Sequence, residues 1–436
     1  MYARLGGAQL GTLTPPTKGN GVSKTYLEPA REIPVARDTD VIVVGGGPAG
    51  IAAAISSARV GARTTLVERF GYLGGTATAS LMACINGFRN QVDPDSTQTV
   101  RGIAEEIVLR LKELGGLGKS PYPQKPYPTE PGRLAYSYAI DTEKWKYVTL
   151  RMCVDAGVDL RFHTWFCASI VEAGVLRGIL VESKSGREAM IARVVVDASG
   201  DGDVAARAGV PFWQTARDEA PRLNDALMYR IGFGRTRPAE PYACDLGTTA
   251  VVWGPGLGPL NGVDADELSC AEVDARLRVY EDLAEKQARN PELADAWVLE
   301  TPPLLGIRQT RFIQGEYTLT ADDAILGRRF DDVVAISSCP IIHYYGYRRY
   351  LEHEGYDIPY RCLVPVTVDH LLIAGRCISS EQQPYESHRA MVPMMAIGQA
   401  AGTAAALAAR EDVSPRDLGV TELQRALIAQ GAELRK

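Results

Sequence analysis

The chain has 436 residues, of which 46% are hydrophobic and 23% are charged, close to the average for globular proteins. Its formal net charge of −6 argues against a general nucleic-acid binder, and apolar residues that recur along the chain exclude disorder for most of it. This length predicts roughly two to three domains, with a core that needs no disulfide or metal staple.

Residues 1–37 are polar and rich in Gly and Pro, and they show no clear hydrophobic period. This composition is typical of an arm that lies on the surface or reaches a neighbouring subunit of a homo-oligomer. A loose tail has the same composition. The sequence therefore predicts an N-terminal arm and leaves its role open.

Regular structure is predicted to begin at Asp38. Residues 40–44 form a β-branched run, which is typical of a strand buried on both faces. Residues 51–60 are Ala-rich and predict a helix, and residues 63–67 predict a second buried strand that ends at Glu68. Together they indicate a β-α-β unit of about 30 residues.

The rest of the chain alternates between helical and strand-like patterns. Helices are predicted near residues 101–114, 141–156, 268–289 and 392–410, and strands near 158–162, 169–171, 176–182, 190–196 and 370–374. The cluster Gly254-Pro255-Gly256-Leu257-Gly258 leads into Pro259 and not into a helix, so we interpret it as a loop.

Cysteine spacing and hydropathy indicate the cellular compartment of the protein. The eight cysteines are scattered without a C-x-x-C pair, which predicts reduced thiols, no metal site and a cytoplasmic protein. The N-terminus lacks the apolar core of a signal peptide, and no run reaches the ~18 apolar residues of a membrane helix. The most apolar run, Met391–Ala409, contains Gln399 and predicts a buried helix.

The segment between the first strand and helix carries a G-x-G-x-x-G pattern formed by Gly45, Gly47 and Gly50. In this context the first glycine allows a tight turn, the second lets a pyrophosphate approach the backbone, and the third lets helix and strand pack closely. The helix N-terminus offers free N–H groups to phosphates, and Glu68 can accept hydrogen bonds from ribose hydroxyls. The pattern predicts a dinucleotide site.

The stretch from Asp40 to Gly75 resembles the N-terminal FAD motif of the glutathione-reductase-type flavoproteins, because Glu68-Arg69 is followed by Leu73-Gly74-Gly75-Thr76. Residues 195–204 and 371–376 resemble the family's segments that close over the dinucleotide and meet the flavin ring. The resemblance is closer to the FAD-dependent oxidoreductases related to fumarate reductase and succinate dehydrogenase flavoproteins, through residues 305–320, 359–365 and 398–406.

This resemblance implies FAD as the cofactor. Its contacts would come from residues of the matching segments, with Phe166 beside the adenine: Gly45, Gly47, Pro48, Ala49, Gly50, Glu68, Arg69, Gly74, Gly75, Thr76, Phe166, Ser199, Gly200, Asp201, Gly375, Arg376 and Met394. The helix near Val392 would direct its positive N-terminal dipole at the flavin. Several relatives attach the flavin to a histidine, but residues 76–90 contain none, so non-covalent FAD is expected.

Four residues are candidates for catalysis. His343 and Tyr345 lie in a segment dense in Tyr and Arg, and His388 precedes the long helix near the expected flavin ring. A histidine can exchange a proton near neutral pH, and tyrosine can polarise an oxyanion. The resemblance favours a place for Arg308 near the flavin or substrate. A surface segment, a subunit contact or a structural ion pair would explain the same residues.

The predicted fold class is α/β, with a Rossmann-like FAD-binding domain and an interleaved α+β substrate (cap) domain. The FAD-binding domain would comprise residues 38–80, 141–212 and 365–412, the cap 81–140 and 213–364, and a C-terminal tail 413–436.

The expected function is that of an FAD-dependent oxidoreductase of the dehydrogenase or oxidase type, which moves a hydride between a small organic substrate and FAD. The electron acceptor stays open, and no nucleic acid or membrane partner is expected. One alternative is a flavin enzyme acting on RNA or a bound precursor, against which the acidic charge counts in the RNA case. The other is a non-catalytic binding module, against which the intact glycine pattern with Glu68 counts.

Overall fold

A computed structural model describes residues 25–91, 96–121, 134–215, 224–342 and 348–435. The helices in these ranges are α1 (Pro48–Arg59), α2 (Ile103–Glu113), α3 (Thr142–Asp155), α4 (Asp203–Arg207), α5 (Ala265–Arg289), α6 (Ala321–Ile325), α7 (Gln382–His388), α8 (Met391–Glu411) and α9 (Val420–Ala429). The strands are β1 (Val35–Val44), β2 (Thr64–Val67), β3 (Cys84–Asn86), β4 (Leu117–Gly118), β5 (Ser137–Ile140), β6 (Asp159–Arg161), β7 (Trp165–Glu172), β8 (Val175–Ser183), β9 (Gly186–Asp197), β10 (Phe212–Trp213), β11 (Asp225–Gly232), β12 (Cys244–Asp245), β13 (Thr249–Gly258), β14 (Trp297–Glu300), β15 (Phe312–Ile313), β16 (Val333–Ser337), β17 (Ile341–Ile342), β18 (Arg348–Arg349), β19 (Tyr356–Pro359) and β20 (Leu371–Ile373).

The largest sheet has seven strands. Strands β6, β2, β1, β9 and β20 run parallel to one another, and β8 and β7 extend the sheet from β9 in the antiparallel sense. The first half of β9 pairs with β8, and its last three residues, 195–197, pair with β20. Because parallel strands end at the same edge, the segments that follow β1, β2, β9 and β20 meet there. This arrangement confirms the predicted α/β class.

Helices α1 and α8 both pack against this sheet and against each other, and small residues set the distance between the two helices. A Cβ atom on Gly398 would lie 2.0 Å from the carbonyl oxygen of Ala49, and one on Gly402 would lie 2.0 Å from that of Ala53. The Ser56 hydroxyl donates to the Gln399 carbonyl over 3.0 Å. Gly398 and Gly402 therefore let the backbones of α1 and α8 approach closely.

Helix α8 is, among the described residues, the one helix long and apolar enough to cross a membrane, and 94% of its apolar window is buried inside the protein. Its polar residue Gln399 accepts a hydrogen bond from the backbone N–H of Ile103, over 3.1 Å, at the start of α2. A side chain amide thus satisfies a helix end that lies in the core. The prediction of a buried core helix is confirmed.

A second layer is formed by the antiparallel sheet β12-β13-β11-β14, with α5 across one face. Ala275 and Val279 of α5 pack against Tyr229 and Ile231 of β11 in a separate small core. Its opposite face holds Met228, which faces the cavity described below. This layer therefore supplies one wall of the candidate site.

The interpretation of Gly254–Gly258 as a loop is wrong, because these residues form the end of β13. Strand β11 pairs with this stretch through two shifts in register, near Asp225 and near Ala226. A Cβ atom on Gly254 would lie 2.1 Å from the carbonyl oxygen of Leu227. The glycines here let the two strands approach closely where their pairing is irregular. In sequence, such a glycine cluster cannot be told apart from a turn.

The chain ends differ from the predicted domain boundaries. Strand β1 begins at Val35, within the segment assigned to the arm, and residues 189–197 of β9 pair along it. The segment assigned to a tail contains α9, whose Leu423 and Leu427 are fully buried. Gln424 of α9 donates to the Val333 carbonyl over 3.0 Å. The C-terminal segment is thus part of the fold.

Candidate active site

The carboxyl ends of β1, β2, β9 and β20 meet in a short chain of backbone hydrogen bonds. The N–H of Gly45 donates to the Val67 carbonyl over 2.9 Å, and the N–H of Ala198 donates to the Val44 carbonyl over 2.9 Å. The N–H of Ala374 donates to the backbone carbonyl of Asp197 over 2.8 Å. Four distant chain segments, each predicted to contact the cofactor, are brought together at this edge.

The three glycines of the first loop have different neighbours. A Cβ atom on Gly50 would lie 1.8 Å from the Gly45 carbonyl oxygen, and one on Gly45 would lie 2.5 Å from that of Ala198. These two glycines are therefore required by the fold itself. At Gly47, which has a φ of −76° and precedes Pro48 at the start of α1, a Cβ atom would meet only the Cα atom of Gly75, 3.9 Å away.

The second glycine loop faces the first. Gly74 and Gly75 have φ values of +125° and +48°, and the N–H of Gly74 donates to the Gly46 carbonyl over 2.8 Å. A Cβ atom on Gly75 would lie 2.7 Å from the Cα atom of Gly47. The two loops and the N-terminus of α1 form an open cradle that a side chain at Gly47 would fill. Such a cradle fits a pyrophosphate.

Glu68 ties these loops together. Its side chain is 6% exposed; Oε2 accepts from the N–H of Gly46 over 2.7 Å, and Oε1 accepts from the N–H of Phe70 over 2.9 Å. Burial raises the pKa of this carboxyl, while the two N–H groups oppose the shift. Arg69 beside it lies over the rings of Phe70 and Trp165, at 5.1 and 5.3 Å.

The loop after β9 is organised by two carboxylates. Asp197 is fully buried, accepts from the Ser199 hydroxyl over 2.6 Å, and has a pKa raised to about 6 by burial. Asp201, next to Gly200, accepts from the Thr310 hydroxyl over 2.9 Å and from the guanidinium of Arg376.

Arg376 comes from the loop that follows β20 and Gly375. Burial alone would lower the pKa of its guanidinium, but the charge and hydrogen bond of Asp201, together with Tyr385 and Cys377, raise it above the ordinary value. A terminal nitrogen donates to the Ile307 carbonyl over 3.1 Å, whereas its Nε has no hydrogen-bond partner among the described residues. A buried donor without an acceptor fits the polar edge of a bound cofactor, as the open cradle at Gly47 fits its phosphates.

Arg376 and Thr76, which directly follows the second glycine loop, border a cavity of about 110 Å³. Four of the predicted site residues line it: Thr76, Arg308, Arg376 and Met394. Met391 and Met394, from the first turn of α8, also border it, so the N-terminus of α8 faces the cavity. The positive end of this helix dipole favours negative charge inside.

Arg308 is held by an aspartate that sequence reasoning missed. The carboxylate of Asp225 accepts from the N–H of Arg308 over 2.7 Å and from the N–H of Leu260 over 2.8 Å. The Nε of Arg308 donates to the Asn224 carbonyl over 2.6 Å. The first residues of β11 thus fix the segment that carries Arg308 to the cavity wall.

Glu386 and Arg389 also line the cavity, and sequence reasoning missed both. Glu386 is 5% exposed and accepts from Gln382 over 2.7 Å and from Arg389 over 3.3 Å. Burial raises the pKa of its carboxyl, although Arg389 opposes the shift. The sequence indicated these two residues only indirectly, because they lie close to His388, which was itself a predicted catalytic residue.

Of four other predicted residues, two lie outside the described part of the chain and two lie away from the cavity lining. His343 and Tyr345 lie outside the described residues, so their catalytic roles stay predictions. His388 is fully buried, and it does not belong to the cavity lining although its neighbours Ser387 and Arg389 do. Phe166, opposite Val181 in the antiparallel part of the main sheet, is half-buried, and its contact with adenine stays a prediction.

His388 provides a test of stability against pH. Burial lowers its pKa from 6.5 to about 3, and neither ring nitrogen has a hydrogen-bond partner among the described residues. The unfolded chain takes up this proton below pH 6.5 and the folded chain does not, so stability falls as the pH drops from 6.5 towards 3.

Replacement of His388 by Met should therefore remove roughly 2 kcal/mol of the stability loss between about pH 7.5 and about pH 5. Urea unfolding of both proteins at the two pH values measures the difference. Asp197 titrates in both proteins and cancels from the comparison. Equal pH slopes would show that His388 is not the group responsible.

Comparisons with known proteins support FAD as the group that the two glycine loops bind. The family model described as FAD dependent oxidoreductase matches residues 40–236 and 221–427. Mitochondrial dihydrolipoyl dehydrogenase 2 of Arabidopsis thaliana is 54% identical over 39 residues, 9% of this chain and 8% of that protein. The α subunit of sarcosine oxidase from a Corynebacterium species is 37% identical over 89 residues, 20% of this chain and 9% of that protein.

The chain thus matches less than a tenth of the length of these curated proteins. Among solved structures, a geranylgeranyl bacteriochlorophyll reductase-like protein from Thermoplasma acidophilum is 16% identical. It covers 91% of this chain and 84% of its own, with a TM-score of 0.48. The family match, in contrast, includes both glycine loops and every residue named above as lining the cavity.

Proposed function

Because the chain belongs to the family of FAD-dependent oxidoreductases, we propose that it transfers a hydride between a carbon of a small organic substrate and non-covalently bound FAD. The prediction of FAD as cofactor is confirmed by the family match. The observation that supports the reaction is a cavity bordered by Thr76, Arg376 and the N-terminus of α8. FAD, when bound, supplies the redox chemistry.

In this proposal the protein's own groups bind FAD and orient it. The N-terminus of α1 and Gly47 would hold the pyrophosphate, and Glu68 would accept from a ribose hydroxyl while it holds the loop at Gly46. Arg376 would direct its free Nε to an acceptor on the cofactor. The absence of a histidine from residues 76–90 supports non-covalent binding.

The substrate side of the cavity carries positive charge. Arg308 and Arg389 line it, and the N-terminus of α8 adds a positive partial charge. We therefore propose an anionic or strongly polar small molecule as substrate. We also propose a cytoplasmic enzyme that needs neither nucleic acid nor a membrane and that passes electrons to a separate acceptor.

The visible spectrum of the purified protein, recorded before and after acid precipitation, tests the cofactor part of this proposal. We expect a flavin spectrum and release of the flavin into the supernatant. Colour that stays with the pellet would contradict non-covalent binding. A colourless protein that does not bind added FAD would overturn the proposal as a whole.

Anaerobic bleaching tests the reaction. The panel comprises 2-hydroxy acids, amino acids, saturated dicarboxylates, simple alcohols and simple amines, and the dithionite-reduced protein is mixed with the corresponding unsaturated or oxidised compounds. We expect a compound with an anionic group to bleach or reoxidise the flavin. If no compound on either side changes the spectrum, hydride transfer with small molecules is wrong.

A further inference from the structure

The wall of the cavity carries a carboxylate that none of the predicted catalytic roles uses. Glu386 lies in α7, one turn before the start of α8, and only 5% of it is exposed. It borders the same cavity as Thr76, Arg376 and Met394. Among the described residues that line this cavity, it is the only carboxylate, and none of these residues is a histidine.

Both oxygens of Glu386 accept hydrogen bonds from neighbouring side chains. The Gln382 amide donates to Oε1 over 2.7 Å, and the Nε of Arg389 donates to Oε2 over 3.3 Å. The Gln382 amide also exchanges two hydrogen bonds, of 2.8 and 2.9 Å, with Gln309. Glu386 is thus fixed in place by neighbours anchored elsewhere in the fold.

The electrostatic surroundings of Glu386 work in opposite directions. Burial favours the neutral acid, whereas the charges of Arg389 and Arg308 favour the carboxylate. Glu386 also acts on the phenol of Tyr385, whose hydroxyl donates to the Arg308 carbonyl. The further ionisable groups among the described residues of the cavity lining are Arg376, Cys84 and Cys339. A carboxyl group balanced in this way is suited to give up and take a proton.

We propose that Glu386 is the acid–base residue of the reaction, an inference that rests on the proposed function. In the oxidising direction, the hydride leaves the substrate carbon for FAD. The proton of the adjacent O–H, N–H or C–H group passes to a carboxylate oxygen of Glu386. The electron pair of that broken bond becomes the new double bond, and in the reducing direction Glu386 returns the proton.

The test compares the Glu386→Gln and Glu386→Asp variants with Glu381→Gln, which changes an exposed glutamate at the start of the same helix. Flavin reduction is followed anaerobically by stopped flow, with the compound that bleaches the wild type fastest. Glu386→Gln should slow reduction by about 100-fold or more at little change in half-saturating concentration. It should also lose the fall in rate at low pH, where the wild-type carboxylate takes up a proton.

Glu386→Asp should restore part of the rate, and Glu381→Gln should behave as the wild type. A second readout is independent of turnover: carbon NMR titration of the glutamate carboxyls in the flavin-free protein, assigned with Glu386→Gln. The signal that disappears in Glu386→Gln should belong to a carboxyl that keeps its proton to a higher pH than the exposed glutamates.

Two results would overturn the inference while the proposed function stands. One is flavin reduction by Glu386→Gln with the wild-type rate and pH profile. The other is a large loss of rate in His343→Ala but not in Glu386→Gln, which would assign the proton to His343. If no compound bleaches the wild type, the proposed function itself fails, and the role of Glu386 fails with it.

Discussion

Gly47→Val is expected to fold like the wild type and to bind FAD at least about 100-fold more weakly. Gly47 has a negative φ, and a Cβ atom there meets nothing closer than Gly75, 3.9 Å away. Valine can therefore occupy the position without backbone strain. Its methyl groups would fill the cradle between the two glycine loops, where the pyrophosphate must reach the N-terminus of α1.

The affinity is measured by titration of the flavin-free protein with FAD, and folding by circular dichroism and urea unfolding. Gly419→Val is the matched control, because Gly419 also precedes a helix, has a φ of −64°, and has no atom within 4 Å of its Cβ position. The control should bind FAD normally. A Gly47→Val protein that purifies with a full complement of flavin would contradict the assignment of the cradle.

Gly398→Ala is expected to destabilise the protein by at least about 3 kcal/mol, although alanine is the better helix former by about 1 kcal/mol. The added methyl group would lie 2.0 Å from the carbonyl oxygen of Ala49. Helix α1 cannot move away, because Ile51 and Ile55 on it are fully buried. The clash therefore falls on two packed backbones, not on a flexible side chain.

Urea unfolding at neutral pH measures this loss, and the soluble yield of the variant gives a second readout should it fail to fold. Gly256→Ala provides the comparison, since its Cβ position has no atom within 4 Å. A Gly398→Ala protein as stable as the wild type would mean that α1 and α8 are further apart than described here.

The cofactor edge could be predicted from the sequence because its information is local. Gly45 and Glu68 each follow a strand with a clear buried pattern, and parallel strands bring such ends together whatever lies between them. The roles of Gly74, Asp201 and Arg376 came instead from the resemblance to a known family, which supplied contacts that spacing alone does not give.

The cavity wall could not be predicted in the same way. Glu386 and Arg308 are neighbours only because α7 packs against the segment after β14, and no periodic pattern encodes that contact. Histidines drew attention through their ordinary pKa, yet His388 is buried away from the cavity lining, and burial lowers its pKa to about 3. Gly254 was misread because close strand contact and a turn require the same residue type.

The cofactor edge has a consequence for folding, because more than 300 residues of chain separate β2 from β20 and α8. While the ribosome is still translating, the nascent chain can form β1, α1 and β2, but β20 and α8 have not yet emerged. The face of α1 that α8 later covers stays open to water until residues 391–411 arrive. The flavin site can therefore be completed only once residues 371–411 are present, which places it among the later steps of folding.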